Sequence, residues 1–485
     1  MNLLSKLEKS FHFWFLLCTC ILFFILRFPS LFEPYWYGDE GIYEAIGFAM
    51  RHGRLLYTGI WDNKPPLLYI IYALFNGDQF GAKLASLIFG LLSVITIYFL
   101  ARRLLHSTIA SSISALVFAV LFGLPILEGN IANAENFMIL PIMCSGLLII
   151  QNKTSKHFGK LQFFAGLLLS FAFLIKIVGI FDLGAFGLYL LIQDYKSIKL
   201  VPSQVIKVTP LIVGFFLPIF VTVAFFLLTH SLGDFINASF SQNVGYVGYG
   251  NTFIIPQGLL IAKLILLLVL CCIIFFLRKK IPSQVQFILL WTGFAIFDTF
   301  FSQRPYTHYL LVTISSMSLL FGLLFSRYRG KLFFAVFQIG LIMLILNNFH
   351  GFGKSIIPYY RNFISFVQNR ESVATYQQFF DQNTIRDYEV ASFINGNAKQ
   401  RDSIFIWGND AQIYKLANKI PPGRFTVAYH INASQKTLNE TRQIVYKAKP
   451  KYIVVISNAG QYPYSLSQYM EKLKIKDTTI YERTF

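Results

Sequence analysis

The segment from Tyr35 to Phe75, "YWYGDEGIYEAIGFAMRHGRLLYTGIWDNKPPLLYIIYALF", gathers Asp39, Glu40, Glu44, Asp62 and Lys64 in a 485-residue chain of which only 13% is charged. A carboxylate can take a proton from a hydroxyl nucleophile, and a lysine can stabilise a departing phosphate. Two further polar segments supply complementary groups: "LEGNIANAENF" carries Glu128 and Glu135, and "FSQRPYTHYLL" carries Arg304, Tyr306, His308 and Tyr309. Lys176 interrupts the apolar run "FAFLIKIVG". Acidic and basic groups of these types suggest group transfer from a phosphate-linked donor. The sequence has no "GxxxxGK[ST]" loop and no sustained Gly-rich dinucleotide fingerprint, so a cytoplasmic nucleotide is not the obvious donor.

The elements that must position these residues are helices in a membrane. The chain is 55% hydrophobic and contains 52 Phe, far above the apolar share of soluble proteins. A spanning helix needs about 20 mostly apolar residues. That pattern predicts eleven spans, near 11–32, 80–101, 108–127, 136–151, 161–175, 178–193, 208–229, 257–277, 284–301, 308–326 and 331–349. The pair between 161 and 193 reads either as a hairpin interrupted at Lys176 or as a re-entrant pair. With the N-terminus in the cytoplasm, sixteen Lys and Arg, among them Arg102, Arg103, Arg278, Lys279 and Lys280, fall on the cytoplasmic side. All the candidate residues then face the opposite side. The N-terminus reads as an uncleaved signal-anchor in the cytoplasmic (inner) membrane, and eleven spans leave the C-terminus outside.

Within the opening segment, Ile42, Ala45, Ile46, Ala49 and Met50 recur at helical spacing, which predicts a short amphipathic helix over 39–52 along the membrane surface. Asp39 also suits its N-cap, with Glu40 complementing the helix dipole. "WDNKPPLLY" predicts a second short helix entered through its prolines. Asp182 and Asp298, inside apolar spans, are expected to bond between helices. The Gly- and aromatic-rich stretch 230–251 is expected either to close over the site or to be a plain connector. Transmembrane residues 1–350 are thus predicted to form the catalytic domain, and 351–485 a small extracytoplasmic α/β domain with a helical connector. There "DSIFIWG" and "KYIVVISN" read as strands, "TLNETRQIVYKA" as a helix, and Asn409 or Asp410 as the N-cap of a helix in "GNDAQIYKLANK".

Composition excludes other classes. Cys18, Cys20, Cys144, Cys271 and Cys272 lie in apolar segments without ligand-like spacing, so neither a disulfide framework nor a zinc site is expected. The net charge of +19 resides largely in short loops as a topology signal, and no nucleic-acid partner is expected.

The sequence resembles the GT-C glycosyltransferases of the protein O-mannosyltransferase and lipid A aminoarabinose transferase type. The resemblance rests on the acidic pair Asp39 and Glu40 after the first span, "KPPL" at Lys64 to Leu67, an acidic residue in the next outer loop, the Lys of "FAFLIKIVG", and Arg304 followed by His308 and Tyr309. It covers roughly residues 1–350 and implies a sugar carried on a polyprenyl phosphate and passed to an acceptor hydroxyl of a lipid, glycan or protein. By that resemblance Asp39 is the base of a single inverting displacement, Glu135 matches the second acidic position with Glu128 as competitor, and Lys64 holds the donor phosphate. Lys176 and Arg304 are further candidates for the phosphate. Asn63 stands where aminoarabinose transferases tend to carry a metal-linked Glu, and no required cofactor is expected, a divalent cation at the acidic pair being the alternative. A reading from another class is a transporter or flippase of a lipid-linked anion, which predicts polar groups spread through the membrane depth.

Overall fold

The computed structural model describes residues 11–151, 157–195, 201–243, 260–302, 306–348 and 356–484. Eleven apolar helices among these residues fall on the eleven predicted spans, the first being Phe11–Arg27 and the last Lys331–Asn348. Five are long and apolar enough to cross a membrane: Phe11–Phe32 (with its 3-10 extension), Gln79–Leu105, Phe158–Ile175, Val205–Leu228 and Lys331–Asn348. Their outer faces are apolar, with Phe220, Leu228 and Leu332 all exposed, as hydrocarbon requires. The protein is a multi-pass membrane protein. The pair between 161 and 193 resolves into two helices, Phe158–Ile175 and Ile180–Asp194, separated where Lys176 takes an extended backbone at φ −152° and ψ 128°.

By compactness the chain forms two units that are discontinuous in sequence. One comprises residues 1–28, 85–227 and 242–358; the other comprises 29–84, 228–241 and 359–485. The first is helical. Small residues set its close approaches: a side chain at Gly166 would come within 2.1 Å of the Leu211 carbonyl, and one at Gly214 within 2.1 Å of the Phe163 carbonyl. Asp182 bonds between helices as expected, accepting from the Trp291 indole at 2.8 Å.

The second unit is built on a four-stranded sheet, β1 (Ile404–Trp407), β2 (Tyr452–Ile456), β3 (Tyr469–Ile475) and β4 (Thr478–Arg483), in the order β1-β2-β4-β3. β1 and β2 are the predicted strands; they run parallel and are almost wholly buried, which explains their unbroken apolar sequence. The antiparallel hairpin of β3 and β4 has no clear sequence signature, because β3 is mostly exposed and reads "YMEKLKI". Phe405, Trp407, Phe425, Ile431, Val445 and Ile453 form the core beside the sheet. The predicted helix is Gln435–Ala448, held by a capping box between Ser434 and Thr437. The connector is the helices Ile356–Val367 and Val373–Phe380.

Two predicted caps are corrected. The helix after β1 is the single turn Gln412–Leu416, with Ala411 at its N-cap. Asp410 instead pairs with the buried Arg386 at 2.9 Å, and Asn409 accepts from the Tyr429 amide at 3.2 Å. The helix of the opening segment is Gly38–Arg51, with Tyr37 at its N-cap and Asp39 inside the first turn. It is covered on nearly every side, from Glu40 to Ala49, because protein packs around its polar faces too. Gly47 allows its partner to approach, since a side chain there would meet the Tyr72 backbone at 2.7 Å. That partner is the second predicted helix, Pro66–Leu74, entered through Pro65 and Pro66.

Candidate active site

The second unit brings Asp39 and Lys64 together. The Gly38–Arg51 helix presents Asp39 from its first turn, and the loop before Pro65 returns Lys64 so that its Nζ stands 4.0 Å from Asp39 Oδ2 and 3.8 Å from Asp62 Oδ2. Lys64 also lies 4.8 Å over the Tyr43 ring, whose hydroxyl donates to Asp39 at 3.4 Å. Asp39 is open, with 36% of its side chain exposed, whereas Asp62 is buried at 3%. This difference separates a carboxylate that can meet a substrate from one that fixes the lysine.

The loop itself is heavily bonded. The Tyr57 hydroxyl donates to the Lys64 carbonyl at 2.7 Å, the Lys64 amide to the Tyr69 hydroxyl at 3.1 Å, and the Tyr69 hydroxyl to Asp62 at 2.6 Å. The Trp61 amide donates to the Arg424 carbonyl at 2.8 Å, and His430 Nε2 lies 3.6 Å from Asp62 Oδ1. Burial alone would raise the Asp62 pKa, but Lys64, His430 and the Tyr69 bond outweigh it and hold the carboxyl below its ordinary range. Burial lowers the His430 imidazole to about 4, so it is neutral here. No sequence signal marked His430: it lies in the polar C-terminal part, 366 residues from Lys64 by number, and only folding brings it to Asp62.

Glu40 faces away from Asp39. Lys83 Nζ lies 3.4 Å from Glu40 and 2.7 Å from Glu33, and all three side chains are at most 1% exposed. Glu33 further accepts from the Tyr359 hydroxyl at 2.7 Å and the Trp36 indole at 3.1 Å. Glu44, one turn on, is fully buried and its carboxyl oxygens accept no hydrogen bond among the described residues. Burial, then the charge of Glu40, pushes its pKa well above the ordinary value. The adjacent acids Asp39 and Glu40 therefore turn to different lysines and do not converge as a donor set for one cation. Among the described residues no group of three or more His, Cys, Asp or Glu is arranged to hold a metal.

The first unit carries the other predicted residues. Lys176 ion-pairs with the buried Glu135 and lies 4.2 Å over the Tyr309 ring. Lys176 reaches Glu135 because it ends its helix in an extended conformation, while Glu135 occupies the first turn of Ala134–Ile149. Glu128 stands 3.1 Å from His308 Nδ1 and accepts from the Thr307 hydroxyl. Glu128 and Glu135 thus have distinct partners. Asp298 is buried with Lys176, Asp182 and Glu135 as its charged neighbours. Arg304 lies outside the described residues, as do residues 244–251 of the stretch 230–251 expected either to close over the site or to be a connector.

A unit of apolar helices and a unit with a four-stranded sheet make up a fold that matches GT-C proteins. The whole chain matches a crystal structure of ArnT from Cupriavidus metallidurans bound to undecaprenyl phosphate, with a TM-score of 0.58 at 15% identity over 96% of this chain and 97% of that one. In sequence, residues 64–226 match the family described as dolichyl-phosphate-mannose-protein mannosyltransferase. The chain therefore resembles the GT-C glycosyltransferases in fold and, over that segment, in sequence pattern. Weaker matches are the archaeal oligosaccharyltransferase AglB from Archaeoglobus fulgidus in complex with an inhibitory peptide and a dolichol-phosphate (12% identity, 93% of this chain, 70% of that one, TM-score 0.48), and the oligosaccharyltransferase of the same organism in complex with Zn and sulfate (13%, 97%, 73%, 0.44). No curated protein sequence matches the chain.

Proposed function

We propose that this protein is a membrane glycosyltransferase that moves a sugar from a polyprenyl-phosphate donor to a hydroxyl of a lipid, glycan or protein at the extracytoplasmic face of the cytoplasmic membrane. The observation that carries this reading is the open carboxylate of Asp39 held beside Lys64, which is itself fixed from behind by buried Asp62. In the reaction the acceptor hydroxyl loses its proton to Asp39 as its oxygen bonds to the anomeric carbon. The bond from that carbon to the phosphate oxygen breaks, polyprenyl phosphate leaves with the electron pair, and Lys64 stabilises its charge. A single displacement of this kind inverts the anomeric centre. Glu40 acts through the position it gives the Asp39 turn. Lys176, His308, Tyr309 and Arg304 are proposed to serve the donor phosphate from the membrane part, 1–350, Glu135 to be the second catalytic acid, and residues 351–485 to lie outside with the acceptor. No metal is required in this scheme, because Lys64 supplies the positive charge.

The test incubates purified protein with a panel of polyprenyl-phosphate sugars and scores release of free polyprenyl phosphate, with and without chelator. Release that survives chelation is expected. Intact donors together with movement of lipid across a bilayer would instead establish the transporter reading.

A further inference from the structure

The second unit contains a polar cavity of about 640 Å³ that the proposed reaction does not use. It is lined by the end of the Gly38–Arg51 helix at Phe48 and His52, by Arg54, by Asn76, and by the segments 398–403 and 417–422. Helical rise places it roughly 14–20 Å from Asp39 along that helix, too far to hold the reacting sugar.

Its charges differ from those elsewhere in the unit. Arg386 is ion-paired with Asp387, Asp410 and Asp477, and Arg424 with Asp234 and Glu440. In the cavity, among the described residues, Arg54 donates to the carbonyls of Pro421 and Pro422, at 3.2 and 3.5 Å, and Lys419 to those of Lys399 and Gln400, with Asp402 as its nearby acid. Arg401 is exposed and, among the described residues, has no hydrogen-bond or ion-pair partner. The one acid of the lining, Asp402, already lies 3.5 Å from Lys451. The exposed side-chain amides of Asn76, Gln400 and Asn418 also have no partner among the described residues, and the ring of Phe48 packs on His52 at 4.3 Å. The site thus offers three cationic side chains against the single acid Asp402, amide groups that can pair with hydroxyls, and apolar surface from Phe48, Ile420 and Pro422.

We propose that this cavity binds an anionic glycan, a hydroxyl-rich chain bearing carboxylate or phosphate, as the distal part of the acceptor. The proposal rests on the glycosyltransferase reading for the word acceptor, but the binding itself does not. Hydroxyls along such a chain match the side-chain amides of the lining, and the surface of Phe48, Ile420 and Pro422 can lie against the apolar face of a sugar ring. Arg401 and the three amides would contact the anion and neighbouring hydroxyls, and Arg54 and Lys419 would add charge from the wall.

The test measures binding of the full-length detergent-solubilised protein to three probes: oligogalacturonate for carboxylate, a phosphorylated oligomannose for phosphate, and a neutral maltooligosaccharide. Vesicles of phosphatidylglycerol provide a lipid arm. At least one anionic oligosaccharide should bind, the neutral one at least about 10-fold more weakly. Arg401→Glu should weaken the anionic probe by a similar factor, Arg401→Lys should restore part of it, and Asp39→Asn should leave it unchanged. Since binding needs no turnover, a dead enzyme that still binds separates this inference from the catalytic reading. Absence of binding to either anionic oligosaccharide, equal binding by Arg401→Glu, or loss confined to the vesicles would overturn it. Should Arg401→Glu prove unfolded by its melting curve, Gln400→Ala combined with Asn418→Gly carries the same expectation of loss.

Discussion

Lys64 stands almost equidistant from two carboxylates of opposite character, 4.0 Å from the open Asp39 and 3.8 Å from the buried Asp62. Buried Asp62, fixed by Tyr69, sets where the ammonium sits; open Asp39 shares the ammonium and stays accessible. Chemistry and support are thereby divided between two acids of one loop segment.

Asp39→Asn removes the proton acceptor while its amide oxygen can still accept from the Tyr43 hydroxyl. Transfer should fall by about 10²–10⁴-fold, the usual contribution of a general base. The melting temperature and the yield of membrane-inserted protein should stay at wild-type values. Donor-release assays beside thermal melts check both, and wild-type turnover in this variant would remove Asp39 from the mechanism.

Lys64→Met should weaken donor use by roughly 10–100-fold, as expected for loss of one charged hydrogen bond to phosphate. Lys64→Arg should recover part of it. The comparison is made on KM for the donor and on kcat separately. An unchanged donor KM together with unchanged kcat would exclude Lys64 from phosphate contact.

Lys83→Met leaves Glu33 and Glu40 buried against each other with no cation between them. Removing one partner from a buried ion network typically costs about 3–5 kcal/mol. A large drop in melting temperature is therefore expected, and Glu40→Gln placed in the same chain should reverse part of it. A Lys83→Met protein as stable as wild type would contradict the network.

The buried His430 titrates at about 4, against about 6.5 in an unfolded chain. Because its folded pKa is the lower one, the unfolded state binds the proton first as pH falls. The His430 contribution to stability is thus present above pH 6.5 and lost progressively between about 6.5 and 4, amounting to about 3 kcal/mol. Glu44 acts in the opposite sense. Its raised folded pKa favours the protonated folded state, so its contribution is full below pH 4.5 and lost as pH rises through the raised value. Melting curves from pH 4 to 8 should show a shallower acid-side loss in His430→Gln and a shallower alkaline-side loss in Glu44→Gln.

What the sequence determined by itself was the membrane class, the positions of the eleven apolar helices among the described residues and the two strands β1 and β2, since each depends on local apolar periodicity. Asp39 and Lys64 were also visible, as charges in a chain that otherwise avoids them. Glu40 shows where that reading stops. A neighbour of Asp39 in sequence, it points to Lys83 across a helix, because successive helical side chains diverge by about 100° and burial then chooses their partners. Only tertiary structure decided that Asp62 holds Lys64, that His430 comes to Asp62 from the distant C-terminal part, and that Glu128 and Glu135 take separate partners. The hairpin of β3 and β4 likewise escaped local reading, since its exposed strand pairs through backbone hydrogen bonds that leave little mark on side-chain pattern. The physical reason is common to these cases: apolar burial is repeated along the chain and can be counted, whereas an ion pair depends on two residues whose approach the whole fold arranges.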